Sequence, residues 1–160
     1  MIEFAQAIHA LCDSGVDFVV IGGWSAILHG VNYSTNDLDI CYSRDRANVK
    51  RLVACLAPLN PRPRDFPSEL PFVWDEATVT NMTVLTLTTK VGMIDLLADV
   101  SGVGDYREAL AHSIVVDAFG RSVRTLDLPA IISAKRAARR AKDIGVLNAL
   151  EALLDSSENE

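Results

Sequence analysis

The sequence predicts a single domain of the α/β (α+β) class, in which helices flank a sheet and a helical segment closes the chain. Two observations carry this prediction. The chain has 160 residues, enough for one compact domain, and 49% of them are hydrophobic. Short β-branched apolar runs alternate along it with segments whose apolar residues recur at helical spacing. Because no internal repeat and no second domain is visible, we expect one domain over residues 1–154.

The first third of the chain predicts helix, strand, helix, strand, helix. Apolar residues at helical spacing predict a helix over 2–13, and the β-branched run at 17–21 predicts a buried strand. Residues 24–30 predict a short helix that ends at a glycine. The alternation over 37–42 is typical of a half-buried strand, and 46–57 carries one apolar face of a helix.

The middle of the chain begins with a proline-rich stretch. Five of the six prolines fall within residues 58–76, so we expect an irregular loop there. The runs 82–89 and 93–100 predict a hairpin that extends the sheet. A weak helix is predicted at 105–111, and a second hairpin over 114–125. The loop interrupts the chain without starting a new domain.

These elements divide the predicted domain into parts. Its core comprises residues 1–57 and 77–126, and its C-terminal helices cover 127–154. The polar tail at 155–160 is expected to be disordered, because it offers no apolar face to pack.

Composition narrows the function classes. The net charge of −6 excludes a general nucleic-acid binder, although a local basic patch can still hold phosphates. The three cysteines lie scattered in apolar contexts without CxxC spacing, which argues against a disulfide framework and a zinc site. No apolar run approaches the roughly 20 residues of a membrane span. The N-terminus lacks a secretory signal, so we expect a cytoplasmic protein.

Two glycines lie between a predicted strand and a predicted helix. At Gly22-Gly23 the backbone can approach a ligand closely, and the N–H groups at the start of the helix favour phosphate. The alternative is a tight turn that needs a positive φ, and the pair alone does not decide between the two.

Three aspartates fall on predicted strands. Asp37 and Asp39 are two residues apart, so their carboxylates project from one face and repel each other unless a cation neutralises them. Carboxylate oxygens of this kind suit Mg²⁺. Asp95 interrupts an apolar run, where a carboxylate is costly unless it is paired or metal-bound. Asp99 has the same strand parity, but it stands nearer the strand end, and we therefore prefer Asp95 as the third ligand.

The combination of these motifs resembles a known family. A strand ending in Gly-Gly, a short helix, and Asp-hydrophobe-Asp fourteen residues after Gly23 is similar to the polymerase-β-like nucleotidyltransferase superfamily. A later hydrophobe-Asp-hydrophobe strand completes that pattern. Within the superfamily, the chain most resembles small stand-alone bacterial nucleotidyltransferases related to the AbiEii-type toxins. The residues that carry this finer resemblance are Gly22-Gly23-Trp24-Ser25-Ala26, His29-Gly30, Thr35, Asp37-Leu38-Asp39-Ile40, Ala134-Lys135, Arg140 and Lys142-Asp143.

The resemblance implies a mixed sheet and a nucleotidyl-transfer reaction. A nucleoside monophosphate would pass from an NTP, such as ATP, to an acceptor with release of pyrophosphate, assisted by Mg²⁺ with Mn²⁺ as the alternative ion. It implies that Asp37 and Asp39 bind the ions, and that Asp95 completes the ion at the nucleophile and takes its proton. The phosphate contacts that it implies come from Gly22, Gly23, Ser25 and Lys135.

Two positions depart from the family pattern. Gly23 stands where many members have a serine, and Tyr33 stands where many toxin-like relatives have an arginine. These departures leave open which group steadies the triphosphate from that side.

The acceptor and the biological role stay open at the sequence level. The basic run from Lys135 to Lys142 favours a tRNA 3′ end or is a solvated face, whereas Asp75, Glu76 and Asp99 favour a small molecule such as an antibiotic. A protein hydroxyl is the third acceptor class, and the resemblance to toxins implies an antitoxin as partner. The competing function is a catalytically inactive nucleotidyltransferase-fold module for binding or regulation.

Overall fold

The computed structural model of this chain describes residues 3–138 and 144–158. Within them the strands are β1 (Phe18–Ile21), β2 (Asp37–Tyr42), β3 (Arg62–Pro63), β4 (Val84–Thr89), β5 (Gly92–Leu97), β6 (Asp99–Val100), β7 (Gly104–Asp105), β8 (Ser113–Ala118) and β9 (Arg121–Leu126). The helices are α1 (Phe4–Asp13), α2 (Gly22–Leu28), α3 (Arg46–Leu56), α4 (Glu76–Thr80), α5 (Tyr106–Ala111), α6 (Leu128–Ala138) and α7 (Ile144–Glu158). None of the described helices has the length and hydropathy that crossing a membrane requires.

A seven-stranded sheet in the order β3-β4-β5-β2-β1-β9-β8 organises the fold. β2 runs parallel to β5, and β1 runs parallel to β9. The other neighbours in the sheet are antiparallel, including the two predicted hairpins β4–β5 and β8–β9. The α/β class and the mixed sheet flanked by helices are therefore confirmed.

The two faces of the sheet are covered differently. On one face, α1 and α3 pack on inward side chains of the central strands, such as Leu38, Ile40 and Ile94. On the other face, α5, α6 and α7 share an apolar cluster with β1, β9 and the end of β2. That second cluster contains no described residue of β3 or β4, and Val84 and Met93 are exposed. The β3–β4 end of this second face is therefore not covered by that cluster.

The proline-rich stretch is more ordered than the sequence predicts. Arg62 and Pro63 form an edge strand against Thr88 and Leu87 of β4. An edge strand tolerates proline because the missing N–H group faces away from the sheet. The stretch ends where Asp75 caps α4, accepting a hydrogen bond from the Thr78 N–H at 2.8 Å.

The C-terminal helices differ from the prediction at their far end. α7 extends to Glu158, so the tail that was predicted to be disordered from residue 155 is helical over its first four residues. Its apolar residues Val146 and Leu150 are buried in the second cluster, and a helix anchored in this way propagates past its last contact. Of the basic run, Arg139, Arg140 and Lys142 lie outside the described residues.

Candidate metal centre and nucleotide site

Three carboxylates meet on two neighbouring parallel strands. Asp37 and Asp39 lie on β2, and Asp95 on β5 is the register partner of Asp39. One carboxylate oxygen from each residue lies within 4.8 Å of the other two. The flanking residues Leu38 and Ile94 are fully buried on the opposite face, so the period-2 alternation of a strand directs all three aspartates to the second face.

Asp99 does not join this group. It lies exposed on β6, opposite Asp105 in the separate two-stranded ribbon. Among the described residues, the cluster that could hold a metal ion contains Asp95 and not Asp99. Asp95 is therefore the third carboxylate of the cluster, and its role as a metal ligand stays a prediction.

The glycine turn lies directly against the carboxylates. Gly22 has a φ of +71°, and a Cβ built on it would stand 2.2 Å from Asp39 Oδ2. A Cβ on Gly23 would stand 2.5 Å from Cε1 of Tyr33. A side chain at either position would therefore have to displace the side chain of Asp39 or Tyr33, and at Gly22 it would also strain the backbone. The ring of Tyr33 fills the room that a side chain at position 23 would need.

A cavity of about 280 Å³ separates the carboxylates from α6. Gly22, Asp39 and Asp95 line it on the sheet side, and Lys135 lines it from the helix. Lys135 stands one helical turn after the buried Ile131, and its side chain is only 4% exposed. Its Nζ lies 5.4 Å from the centroid of the Tyr33 ring. A buried ammonium is costly unless anionic groups surround it, and here carboxylates line the same cavity, where an anionic ligand would also meet it.

Ser25 is not brought to the cavity. Its side chain is fully buried, and its Oγ lies 2.5 Å from Oγ1 of Thr125. Thr125 donates its own hydroxyl proton to the carbonyl of Val20, so Ser25 is the donor between the two hydroxyls. The hydroxyl of Ser25 fixes α2 to β9. The predicted phosphate contact of Ser25 is therefore corrected to a structural role.

Arg64 is a site residue that sequence reasoning missed. Its Nη2 donates to Asp95 Oδ1 at 2.6 Å, and the two side chains are 27% and 14% exposed. A weaker contact reaches the carbonyl of Leu87 at 3.4 Å. The sequence signal for it is indirect: three clustered carboxylates need a counter-charge, but the sequence does not indicate which cation supplies it.

The electrostatics of Asp95 reflect its surroundings. Burial raises its pKa above the ordinary value of 3.8, the guanidinium of Arg64 and a hydrogen bond with Asp39 oppose the rise, and the charge of Asp37 adds to it. A carboxyl group in this state holds a proton more readily than an exposed one. A divalent cation would relieve both the desolvation and the mutual repulsion of the cluster.

The other acidic and basic candidates lie away from the carboxylates or serve structure. Asp75 and Glu76 begin α4, whose Val79 packs in the cluster on the opposite face. Arg136 of the basic run pairs with Glu151 of α7 at 2.5 Å. Of the basic side chains that the structure describes in this run, Lys135 lines the cavity and Arg136 does not.

The comparisons with known proteins bear on the fold. The chain matches no protein-family model, and no curated protein sequence matches it. Among solved structures it is similar to ANT(2")-Ia in complex with adenylyl-2"-tobramycin, at 18% identity over 97% of this chain and 89% of that chain, with a TM-score of 0.62. It is also similar to the lincomycin-bound lincosamide antibiotic adenylyltransferase LnuA, at 11% identity over 94% of this chain and 95% of that chain, with a TM-score of 0.63. An antigenic nucleotidyltransferase-like protein from Paracoccidioides brasiliensis is similar at 17% identity over 93% of this chain and 74% of that chain, with a TM-score of 0.51. These likenesses show that the chain has the fold of nucleotidyltransferases.

Proposed function

We propose that this chain is a divalent-metal-dependent nucleotidyltransferase of the polymerase-β-like superfamily, which transfers a nucleoside monophosphate from an NTP to a hydroxyl acceptor. One observation carries the proposal. Oxygens of Asp37, Asp39 and Asp95 lie within 4.8 Å of one another, and Gly22 packs against the second of them. A phosphate-binding turn beside a cluster of hard oxygen ligands suits the transfer of a phosphorus-containing group.

The residues fit the metal that the fold family implies. All three offer carboxylate oxygens, and burial of Asp95 beside Asp37 leaves a charge that a divalent cation would balance. When bound, Mg²⁺ or Mn²⁺ acidifies the acceptor hydroxyl and neutralises the triphosphate. Asp37, Asp39 and Asp95 would hold it.

The remaining groups bind the nucleotide and move the proton. The backbone N–H groups at Gly22 and Gly23 and the ammonium of Lys135 would hold the triphosphate in the cavity between the carboxylates and α6. The acceptor oxygen would form its bond to the α-phosphorus as the bond to pyrophosphate breaks, and Asp95 would take the acceptor proton. ATP is the first nucleotide to test, because two of the similar structures carry adenylyl transfer in their names.

The test compares Asp39→Asn with a matched control, Asp117→Asn, which removes an exposed carboxylate on β8. Purified proteins are incubated with α-labelled ATP, Mg²⁺ and separate fractions of tRNA, protein and small molecules. We expect transfer by the wild type and the control, and a loss of about a thousandfold in Asp39→Asn, since metal charge stabilisation is worth several kcal/mol. Equal activity in all three proteins would reject the metal assignment.

Nucleotide binding without transfer to any fraction would instead favour the inactive binding or regulatory module. The relationship to AbiEii-type toxins has its own readout, which is growth arrest on expression of the wild type but not of Asp39→Asn. Rescue by a co-expressed neighbouring gene would identify an antitoxin partner.

A further inference from the structure

The two sides of the carboxylate cluster differ in what surrounds them. Gly22 follows β1, and Lys135 reaches the cluster from the helix that covers β1 and β9, so the groups suited to the triphosphate lie on that side. On the other side of Asp95 the sheet continues into β4 and β3 without a covering helix in the described chain. In-line displacement requires the acceptor oxygen to approach opposite the leaving pyrophosphate. An acceptor therefore has to come in over β4 and β3.

A recess lies at this position. It measures about 230 Å³, and it is lined by Pro63, Arg64, Asp65, Phe66 and Thr86. Thr86 is the register partner of Asp95 on the neighbouring strand, and its carbonyl accepts a hydrogen bond from the backbone N–H of Arg64 at 2.9 Å. Neighbouring strands are about 4.8 Å apart. The recess therefore begins one strand away from the carboxylate cluster.

Arg64 separates the recess from the larger cavity, and its position depends on Asp95. The ion pair at 2.6 Å is its strong contact, the bond to the carbonyl of Leu87 is long, and its buried Nε–H finds no acceptor within the described residues. A carboxylate that ligates a cation is a weaker partner for a guanidinium. Arg64 can then offer its planar donor fork to another anion.

The charges around the recess favour an anion as that new partner. Arg62 lies on the same strand, and its guanidinium carbon is 5.5 Å from the ring centroid of Phe66 while its Nη2 donates to the carbonyls of Pro67 and Leu70. The exposed carboxylate of Asp65 is the opposing charge at the rim. With Asp95 engaged by a metal ion, the guanidinium of Arg64 is the cationic group that lines the recess, and Arg62 on the same strand adds a second positive charge beside Phe66.

We propose that this recess is the acceptor site, and that the acceptor is a hydroxyl compound carrying a phosphate or carboxylate that binds Arg64. This assignment rests on the proposed function and deepens it by naming the substrate class. It separates the chain from enzymes whose acceptors are polycations, because an amino sugar would meet the guanidinium groups of Arg62 and Arg64. The hydroxyl of Thr86 and the exposed ring of Phe66 supply the remaining walls.

The test measures binding without turnover. Backbone amide shifts of the isotope-labelled protein are followed by NMR with Mg²⁺ and α,β-methylene ATP present. Glycerol 3-phosphate, glycerate and glucosamine are the probes, so that a phosphate, a carboxylate and an ammonium are compared on small hydroxyl compounds. We expect saturable shifts at Thr86 and Phe66 with one or both anions and none with glucosamine.

The variant Arg64→Gln should weaken anion binding about tenfold to a hundredfold, the usual worth of a charge-assisted hydrogen bond. Arg51→Gln is the matched control, because that arginine donates to the Gly15 carbonyl and pairs loosely with Asp17 far from the recess. Thermal unfolding checks that both variants fold. Shifts with glucosamine alone, no shift with any probe, or equal affinity in Arg64→Gln would overturn the proposal.

A transfer assay on the wild type separates this proposal from the one on which it rests. Nucleotidyl transfer without anion shifts at Thr86 and Phe66 would keep the proposed function and overturn the acceptor site. Anion shifts without transfer to any acceptor would reject the proposed function, and with it the acceptor role of the recess.

Discussion

Replacing Gly22 by alanine puts a methyl group into space that the carboxylate of Asp39 already occupies. The new Cβ would stand 2.2 Å from Asp39 Oδ2 and 3.0 Å from its Cγ, closer than non-bonded atoms approach. The φ of +71° at this position is also unfavourable for any side chain. The variant therefore has to rotate the Asp39 side chain, shift the turn, or do both.

The cost has separable parts. A non-glycine residue with this backbone conformation costs about 1–2 kcal/mol, and the smaller entropy of the unfolded alanine chain returns about 0.4–1 kcal/mol. An off-rotamer side chain at Asp39 adds roughly 0.5–1.5 kcal/mol. The sum is about 0.5–3 kcal/mol, which lowers Tm by roughly 1–12 °C in a domain of this size. Because Asp39 is displaced, we also expect Mn²⁺ affinity to fall by about tenfold or more.

The matched control is Gly120→Ala in the β8–β9 turn. Its φ of +79° imposes a similar backbone strain, but a Cβ there meets nothing within 4 Å. Thermal unfolding and Mn²⁺ titration by electron paramagnetic resonance are measured on both variants and the wild type. We expect both variants to lose stability and only Gly22→Ala to lose Mn²⁺ affinity. Unchanged Mn²⁺ binding in Gly22→Ala, or an equal loss in Gly120→Ala, would refute the argument from the Asp39 contact.

Four further predictions concern the groups in and around the cluster. Because burial raises the pKa of Asp95, folding favours its protonated form, so its contribution to the free energy of unfolding of the metal-free protein should fall as pH rises from 3.8 through that raised pKa. Urea unfolding at several pH values measures this pH dependence, which should be absent in Asp95→Asn. A contribution that rises with pH in the wild type would contradict the assignment. Mn²⁺ affinity of the wild type should weaken on acidification over the same pH range, because protons and the cation compete for one carboxylate. Arg64→Gln should raise the Mn²⁺ affinity of the nucleotide-free protein by about tenfold at most, because the substitution removes a positive charge 2.6 Å from Asp95. Calorimetric titration measures this affinity, and a weaker site in the variant would mean that Arg64 orients Asp95 for the ion. Ser25→Ala should lower the free energy of unfolding by about 1 kcal/mol in denaturant titration, because its hydroxyl bonds to Thr125. The turnover number should stay near that of the wild type, because Ser25 does not line the ligand cavity. A fall in turnover at unchanged stability would instead support a phosphate contact from Ser25.

The carboxylate cluster could be predicted from the sequence because strand periodicity is local information. Asp37 and Asp39 had to share a face, and the apolar neighbours of Asp95 fixed its own direction. Ser25 is one turn into a helix that is buried nearly all round, so local spacing could not tell whether its hydroxyl faces the cavity or β9. Composition likewise could not decide between disorder and helix for the C-terminal tail, whose first residues are helical.

Arg64 could not be predicted, because its position depends on a two-residue strand formed within a proline-rich stretch. Nothing in the local pattern marks Arg62–Pro63 as a strand. Their pairing with β4 is decided by tertiary contact. The same tertiary contact brings the guanidinium of Arg64 to Asp95, and no sequence motif encodes that contact.

The parallel pairing of β2 with β5 has a consequence for how the chain folds. The partners Asp39 and Asp95 are distant in sequence, so the loop between them must close before any divalent ion can be chelated by both strands. Unfolded or partly folded chains therefore lack this binding site, and a bound ion stabilises only the fully folded chain. By mass action, a metal–nucleotide complex at a hundred times its Kd would add about 2.7 kcal/mol to the stability of the native chain.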